Sequence, residues 1–571
     1  MSRVFSRRQT NLAVFLCDAG FPLVGLRQTD NRRFAVIGVA PHETTREPAL
    51  VKASRLCLDS GMEASAQRSS TERVFWLLFL FLNSFYLLTS SGRVRTIDEV
   101  TADYQAESLV RRGDLSVPQA VAAGNYYGKL DRWGRPQAPY GAAQAGLLVP
   151  WYLAGLGVST WAPGVPPQAR DLVLDAVLTA SSATFAAMAG ALVFLILVRR
   201  GLRHGPGLAT AGVVAFSTPL LAYSSWLFSE PLAAVLLLGA AAILFIDDGD
   251  ASVPRAAAAG VVLGAALWVR PAHALAVPVF VLALVVRGRR RAILPAAVLA
   301  VVAAAFGAAF LVRNQMLFGS FLDFGYPAAA EGGRRLNTFE TPVLTGLFGF
   351  LFSPGKSVFL FAPPVIVAMA GLRRLARLDR GLAVIAAGVP LVYLLFYARY
   401  TQWEGGYCLG PRYLVPAIPL LCLACGPVMQ SGGRSMVRLA VLLAVAGFLV
   451  QTVGMSTSFL EDQAGGAYYD LHWNYRMSYS PLVSQTERLV EDLLSSQPAP
   501  IGRGFDRWFV FLFKGGVALA SIAVVLFLES CATLFFAWLV WRSVTRPTTG
   551  GDRLRLAGGS PEPLLRSTHD S

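Results

Sequence analysis

The run VFWLLFLFLNSFYLLTSSG at residues 74–92, followed at once by RVRTIDEVTADYQAESLVRRGDL at residues 93–115, decides how the rest of the chain is read. The first stretch carries no charge and is long enough to cross a bilayer as a helix, which takes about 20 apolar residues. The second is amphipathic and rich in acids, so it belongs outside the hydrocarbon. Similar charge-free runs recur at 176–198, 205–229, 292–312, 381–398, 413–433 and 439–460. Shorter ones occupy 231–246, 256–269, 271–287 and 357–372, and a last run at 515–541 is interrupted by Glu529. The expected fold is an all-α polytopic membrane protein with about 12 transmembrane helices, or 13 if the proline-broken segment 136–169 also crosses.

Composition agrees. Of 571 residues 54% are hydrophobic and 15% charged, with a mean hydropathy of +0.50. Soluble proteins carry about 25% charged residues, so a soluble cytoplasmic enzyme is excluded. The formal charge is +15 and nearly all of the 50 basic residues are Arg. They cluster at 199–203, 287–291, 373–377, 434–438 and from 542 onward, between the apolar runs. That is the positive-inside pattern, which excludes a nucleic-acid face and puts the loops 93–141, 313–345, 399–412 and 457–506 outside. Residues 1–70 read as a disordered cytoplasmic extension, or as an upstream start with Met62 nearer the true beginning, and 542–571 as a disordered cytoplasmic tail. Between them lie a transmembrane module over 71–455, an extracytoplasmic loop over 456–506 and a last span over 507–541. Cys422 and Cys425 form a C-x-x-C spacing inside an apolar run, where a thiolate has no access to a partner, so they read as filler.

Chemistry points to the first outer loop. Adjacent carboxylates, Asp98 and Glu99, stand at the outer mouth of the first span, where one can ionise as a base while its neighbours tune it. The loop continues through Arg111-Arg112-Gly113-Asp114, Asn125-Tyr126-Tyr127 and Pro139-Tyr140-Gly141. Further along come Ser229-Glu230-Pro231, Arg270-Pro271, Arg313-Asn314, Ser353-Pro354-Gly355-Lys356 and the run from Trp403-Glu404-Gly405-Gly406-Tyr407 to Gly410-Pro411-Arg412-Tyr413. As an ordered set over roughly residues 74–455, these resemble bacterial protein-mannosyltransferase-like enzymes of the C-type (GT-C) superfamily of polyprenyl-phosphate-sugar-dependent glycosyltransferases.

The resemblance implies transfer of a sugar from a polyprenyl-phosphate donor to an acceptor hydroxyl at the outer face of a bacterial plasma membrane. The acceptor is a protein, lipid or polysaccharide. Asp98 is then the expected base, with Glu99 second. Arg270, Arg313, Lys356 and Arg412 are the expected clamps for the donor phosphate, since guanidinium groups suit bidentate phosphate contact. Each also has a plainer reading as a side chain snorkelling to head groups. Ser353-Pro-Gly-Lys356 lacks the first glycine of a P-loop. Asp103, Tyr104, Tyr140, Glu230, Trp403, Glu404 and Tyr407 are candidates for the sugar or acceptor pocket. Asp98, Glu99 and Asp103 offer oxygen ligands to Mg²⁺ or Mn²⁺ without requiring either. The rival class is a multi-pass lipid or solute transporter or flippase, whose usual signature of internal repeats is not evident here.

Overall fold

The computed structural model describes residues 49–545 apart from 248, 250, 328–329, 332–333, 336, 407, 459–473 and 495–504. The chain divides into two units, Met1–Ala66 and Gln67–Ser571. Expectations for 1–48, for 546–571 and for half of the 457–506 loop lie outside the described residues.

The architecture is all-α. In chain order the helices that matter are α1 (Ala49–Thr89), α2 (Ile97–Arg112), α3 (Ala142–Trp161), α4 (Arg170–Arg199), α5 (His204–Ser217), α6 (Glu230–Phe245), α7 (Val253–Val269), α8 (Ala276–Gly288) and α9 (Ile293–Phe318). They continue with α10 (Val343–Phe352), α11 (Val365–Leu378), α12 (Arg380–Arg399), α13 (Arg434–Ser456), α14 (Pro481–Leu494) and α15 (Leu519–Thr545). Strand is confined, among the described residues, to two tiny antiparallel ribbons, Lys129–Leu130 with Pro136–Gln137 and Ala330–Glu331 with Arg334–Arg335.

Six helical stretches among the described residues are long and apolar enough to cross a membrane: Ser69–Thr89, Pro167–Arg199, Pro271–Phe318, Arg380–Arg399, Arg434–Ser456 and Leu519–Thr545. The Pro271–Phe318 stretch contains both α8 and α9, which pack on each other. Other runs read as spans are shorter or broken, several of them beside prolines, which open a new helix more readily than they continue one. The 413–433 run becomes two short helices, Ile418–Cys422 and Cys425–Ser431, around Pro419 and Pro427. The 205–229 run stops its first helix at Ser217, two residues before Pro219. The ambiguous 136–169 segment holds α3, with Pro150 inside it.

Helix α4 is the central element, packed on α3, α5 and α6. Its small residues Ala183, Ala186, Ala187 and Gly190 are buried and let neighbouring helices approach closely, as in membrane bundles. Leu82 of α1 lies where a side chain on Gly190 would be. The opposite arrangement holds at the rim, where Leu294, Val301, Leu442, Leu449, Phe527 and Leu534 are exposed. Rows of exposed aliphatic and aromatic side chains on long helices fit hydrocarbon and not water.

Polar groups separate to the two ends. At one end Arg199 meets Glu72 at 2.6 Å, and the buried Asp379 takes Arg200 and Arg287, each at 3.3 Å. The Asp379 carboxylate also caps α12 by accepting from Leu382 N. The Arg clusters at 199–203, 287–291 and 373–380 therefore gather together. The other end holds the residues after α1 and the loops around 270, 318–341 and 399–413.

At that second end the segment before α15 grips the root of α2. Trp508 N donates to Ser90 O at 3.1 Å, and Gly92, at φ +67°, leaves room for the Trp508 Cβ that a side chain would strike. Arg95 and Asp506 form an ion pair, with side chains only 3% and 1% exposed. Breaking a buried pair from one side leaves a charge without its counterion and costs about 3–5 kcal/mol, whereas replacing both partners costs far less. Asp506→Ala is therefore expected to lower the unfolding midpoint in detergent sharply, and the Arg95→Met/Asp506→Leu double variant to recover most of the loss.

Candidate active site

The start of α2 sorts its two carboxylates. Thr96 is the N-cap, and Thr96-x-x-Glu99 is a complete capping box: the Thr96 hydroxyl accepts from Glu99 N, and Glu99 reaches back to Thr96 N at 2.9 Å. Glu99 also accepts from the Thr96 hydroxyl at 3.0 Å, from Arg95 N at 3.2 Å and from Leu227 N at 2.9 Å. It is fully buried. Its neighbour on the helix turns about 100° away, so Asp98 faces the other way, into a cavity. Glu99, expected as a second base, is placed as the cap of α2, with donors around its oxygens and outside the cavity lining.

The cavity has a volume of about 410 Å³. Asp98, Arg270 and Arg412 are the charged residues among those lining it. Six tyrosines, Tyr127, Tyr140, Tyr326, Tyr397, Tyr400 and Tyr413, line it together with Phe324, Phe339 and Phe396. Tyr397 and Tyr413 stack face to face at 4.1 Å, and the Arg270 guanidinium lies 5.3 Å from the Tyr413 ring centre. Tyrosine-rich walls of this kind present flat faces and hydroxyls together.

The charged residues are wired in series. Asp98 accepts from the Tyr140 hydroxyl and pairs with Arg412 Nη2. Arg412 Nε donates to Glu230 Oε1 at 2.8 Å, and Arg270 Nη1 reaches the same oxygen at 3.2 Å. Glu230 is 1% exposed and outside the cavity lining, so it stands behind both arginines. Burial pushes the Asp98 carboxyl up, but Arg412, the Tyr140 hydrogen bond and Arg270 together outweigh it and hold it below the usual carboxylate range. Burial and the Asp98 charge push the Tyr140 hydroxyl well above its ordinary value, so it stays a donor.

Three loops converge to make this wall. Asn337, in the left-handed region at φ +60°, accepts from the Tyr400 hydroxyl at 2.7 Å and from the Tyr127 hydroxyl at 3.1 Å. Lys129 pairs with Asp323 at 3.0 Å. In the third loop Gly405, at φ +81°, lets Arg412 fold back against it, and Arg412 Nη1 donates to Gly405 O at 3.4 Å.

The remaining candidates lie elsewhere. Lys356 is buried and donates from Nζ to Cys408 O at 2.8 Å and Gly406 O at 3.4 Å, so it braces the 404–412 loop from behind instead of facing a ligand. Its ammonium must be satisfied by carbonyls once it leaves water. Arg313 is half-buried on α9, away from the cavity lining. Trp403 is fully buried against Phe350 and Tyr475, with Gly349 making room for its ring. Glu404 is buried outside the lining, and Tyr104 packs on Val117, Ala120 and Ala138. Tyr407 lies outside the described residues. Asp98, Glu99 and Asp103 do not converge, and among the described residues there is no cluster of three or more His, Cys, Asp or Glu arranged to hold a metal ion.

Several lining residues carry no local signal: Phe324, Tyr326, Asn337, Phe339 and Gln402 come from loops whose sequence alone does not say which way they fold.

No protein-family model matches the sequence, and no curated protein matches it either. Among solved structures the chain is similar to ArnT from Cupriavidus metallidurans in the apo state, with a TM-score of 0.42 and 14% identity over 83% of this chain and 76% of that one. It is similar also to the same protein bound to undecaprenyl phosphate, with a TM-score of 0.39 and 15% identity over 84% of this chain and 78% of that one. At that overlap and identity the likeness carries no argument about this chain's chemistry.

Asp103 yields a test of its own. Burial, with Glu107 and Asp171 nearby, pushes its carboxyl up to about 7. A raised acid favours the protonated folded form, so stability falls as pH rises from the ordinary Asp value toward about 7, and the full penalty applies above that. Asp103→Asn is expected to raise the unfolding midpoint at pH about 8 and to leave it unchanged near pH 4.

Proposed function

We propose that the protein is a membrane glycosyltransferase of GT-C type that moves a hexose or pentose from a polyprenyl-phosphate carrier to an acceptor hydroxyl. The observation that carries this reading is the meeting of one carboxylate, Asp98, with two arginines, Arg270 and Arg412, in a tyrosine-lined cavity at the ends of apolar helices. A phosphate anchored by a lipid tail travels at that depth. Gathering of the Arg clusters at the opposite end supports an extracytoplasmic site in a bacterial inner membrane, and the catalytic module is 71–455, which holds Asp98, Glu230, Arg270 and Arg412.

The residues divide the work. Asp98 takes the proton of the acceptor hydroxyl as the acceptor oxygen bonds to the anomeric carbon of the sugar. The bond from that carbon to the phosphate oxygen breaks, and the phosphate keeps the electron pair. Arg270 and Arg412 hold the developing charge, and preorganised donors of this kind are worth most in a site that excludes water. The tyrosine wall that includes Tyr397 and Tyr413 borders the sugar ring. Aromatic and arginine side chains together suit a sugar phosphate better than a free sugar or a bare ion.

The test is transfer of radiolabelled sugar from synthetic polyprenyl-phosphate donors by purified protein. Loss of a general base costs about 10²–10⁴ in rate. Asp98→Asn is expected to lose turnover on that scale while still folding, and Glu99→Gln, where it folds, to keep it. Absence of turnover with every donor, together with movement of the lipid across proteoliposomes, would favour a carrier.

A further inference from the structure

Arg412 has two carboxylate partners that differ in one respect. Glu230 is sealed from the cavity at 1% exposure, whereas the Asp98 side chain is 26% exposed and faces it. An anion entering the cavity can reach the Asp98–Arg412 contact and cannot reach the Glu230–Arg412 contact. The four groups also balance: Asp98 and Glu230 against Arg270 and Arg412. With no anion present, neither arginine has spare charge, and a phosphate must compete for one of them.

We propose that the Asp98–Arg412 pair is a resting lock, broken when the phosphate of the lipid-linked sugar takes Arg412 from Asp98 while Glu230 keeps both guanidinium groups in place. The proposal rests on the glycosyltransferase reading for the identity of the phosphate. Glu230 is then a positioning residue. Its Oε1 anchors Arg412 through Nε and Arg270 through Nη1, which leaves the outer edge of the Arg412 guanidinium free to change partner. Arginine suits this exchange because its planar fork serves two acceptors at once. Phe228, 4.3 Å from the Arg412 guanidinium, supports one face of it throughout.

The consequence is that Asp98 becomes basic only in the loaded site. Around it stand Tyr140 and Tyr326 from the loops, Arg270 and Arg412, and Glu99 on its own helix, which the capping box turns inward. Its carboxyl is held low chiefly by Arg412 working against burial. When the phosphate takes the outer edge of Arg412, the charge of that guanidinium is offset by the phosphate, and burial and the arriving negative charge both push Asp98 upward. The Tyr140 hydrogen bond still favours the carboxylate, but the arginine charges that held it low are now shared with the phosphate. An unloaded site therefore keeps its base quiet, and loading it takes up a proton at any pH between the two Asp98 values.

The probe is a short-chain polyprenyl phosphate methyl ester, whose single charge does not itself titrate near neutrality. Its binding to the purified full chain is followed calorimetrically in two buffers of different ionisation enthalpy at mildly acid pH. Uptake approaching one proton per bound lipid is expected for the unmutated protein, and none for Asp98→Asn. Binding without proton uptake, uptake that survives in Asp98→Asn, or no binding of the diester would each overturn the exchange. Where Asp98→Asn does not fold, the unmutated enzyme still decides. The acid limb of kcat, which reports the loaded site, is expected at least one pH unit above that of kcat/KM, which reports the free enzyme. Coinciding limbs would overturn the proposal. If no donor is turned over while proton uptake persists, the glycosyltransferase reading falls and the lock remains as an anion-triggered contact.

Discussion

The cavity depends on one guanidinium. Arg412 is buried with Nη2 on Asp98 and Nε on Glu230, and Arg270 closes the series through the same Glu230 oxygen. A buried charge is tolerated only where its partners are in place, so each member requires the others. The polar end of the bundle is built around this constraint: α2 must present Asp98, α6 must begin at Glu230, and the 404–412 loop must turn back on itself.

Satisfied polar groups behind the cavity keep these elements in register. Glu99 caps α2 and, through Leu227 N, ties it to the segment leading into α6. Lys356 holds the carbonyls of the glycine-rich loop, and Gly405 gives that loop a conformation that other residues adopt at a cost. The Arg95–Asp506 pair and Trp508 fix the root of α2 to the segment preceding the last helix. None of these groups lines the cavity, yet each sets where a lining residue stands. Lys356, expected as a phosphate clamp, and Glu99, expected as a second base, are both held by hydrogen bonds to the chain itself.

Part of this is legible one residue at a time. Thr96-x-x-Glu99 has the spacing of a capping box, and that spacing by itself separates Asp98 from Glu99, since a box glutamate must turn back to its cap. Arg270 and Arg412 stand out by their places beside span ends, where an arginine has few ways to be satisfied. Lys356 and Trp403 stand outside the cavity lining, and the sequence does not signal this because a tight turn beside a charge or an aromatic ring looks the same whether it is shaped for a ligand or for its own loop. Asn337 and Tyr326 give no signal, because a loop's direction depends on the helices to which it is tied.

The medium and the class of element are written in the order of residues alone. Hydropathy and charge are summed along the chain, so long apolar runs between Arg clusters specify helices in a bilayer whatever their neighbours do. Packing between distant segments sets how many runs stay whole, which carboxylate faces the cavity, and which cations share it. Those outcomes turn on contacts between residues as far apart as Asp98, Glu230 and Arg412, and a buried ion pair has no spacing that a one-dimensional reading can detect.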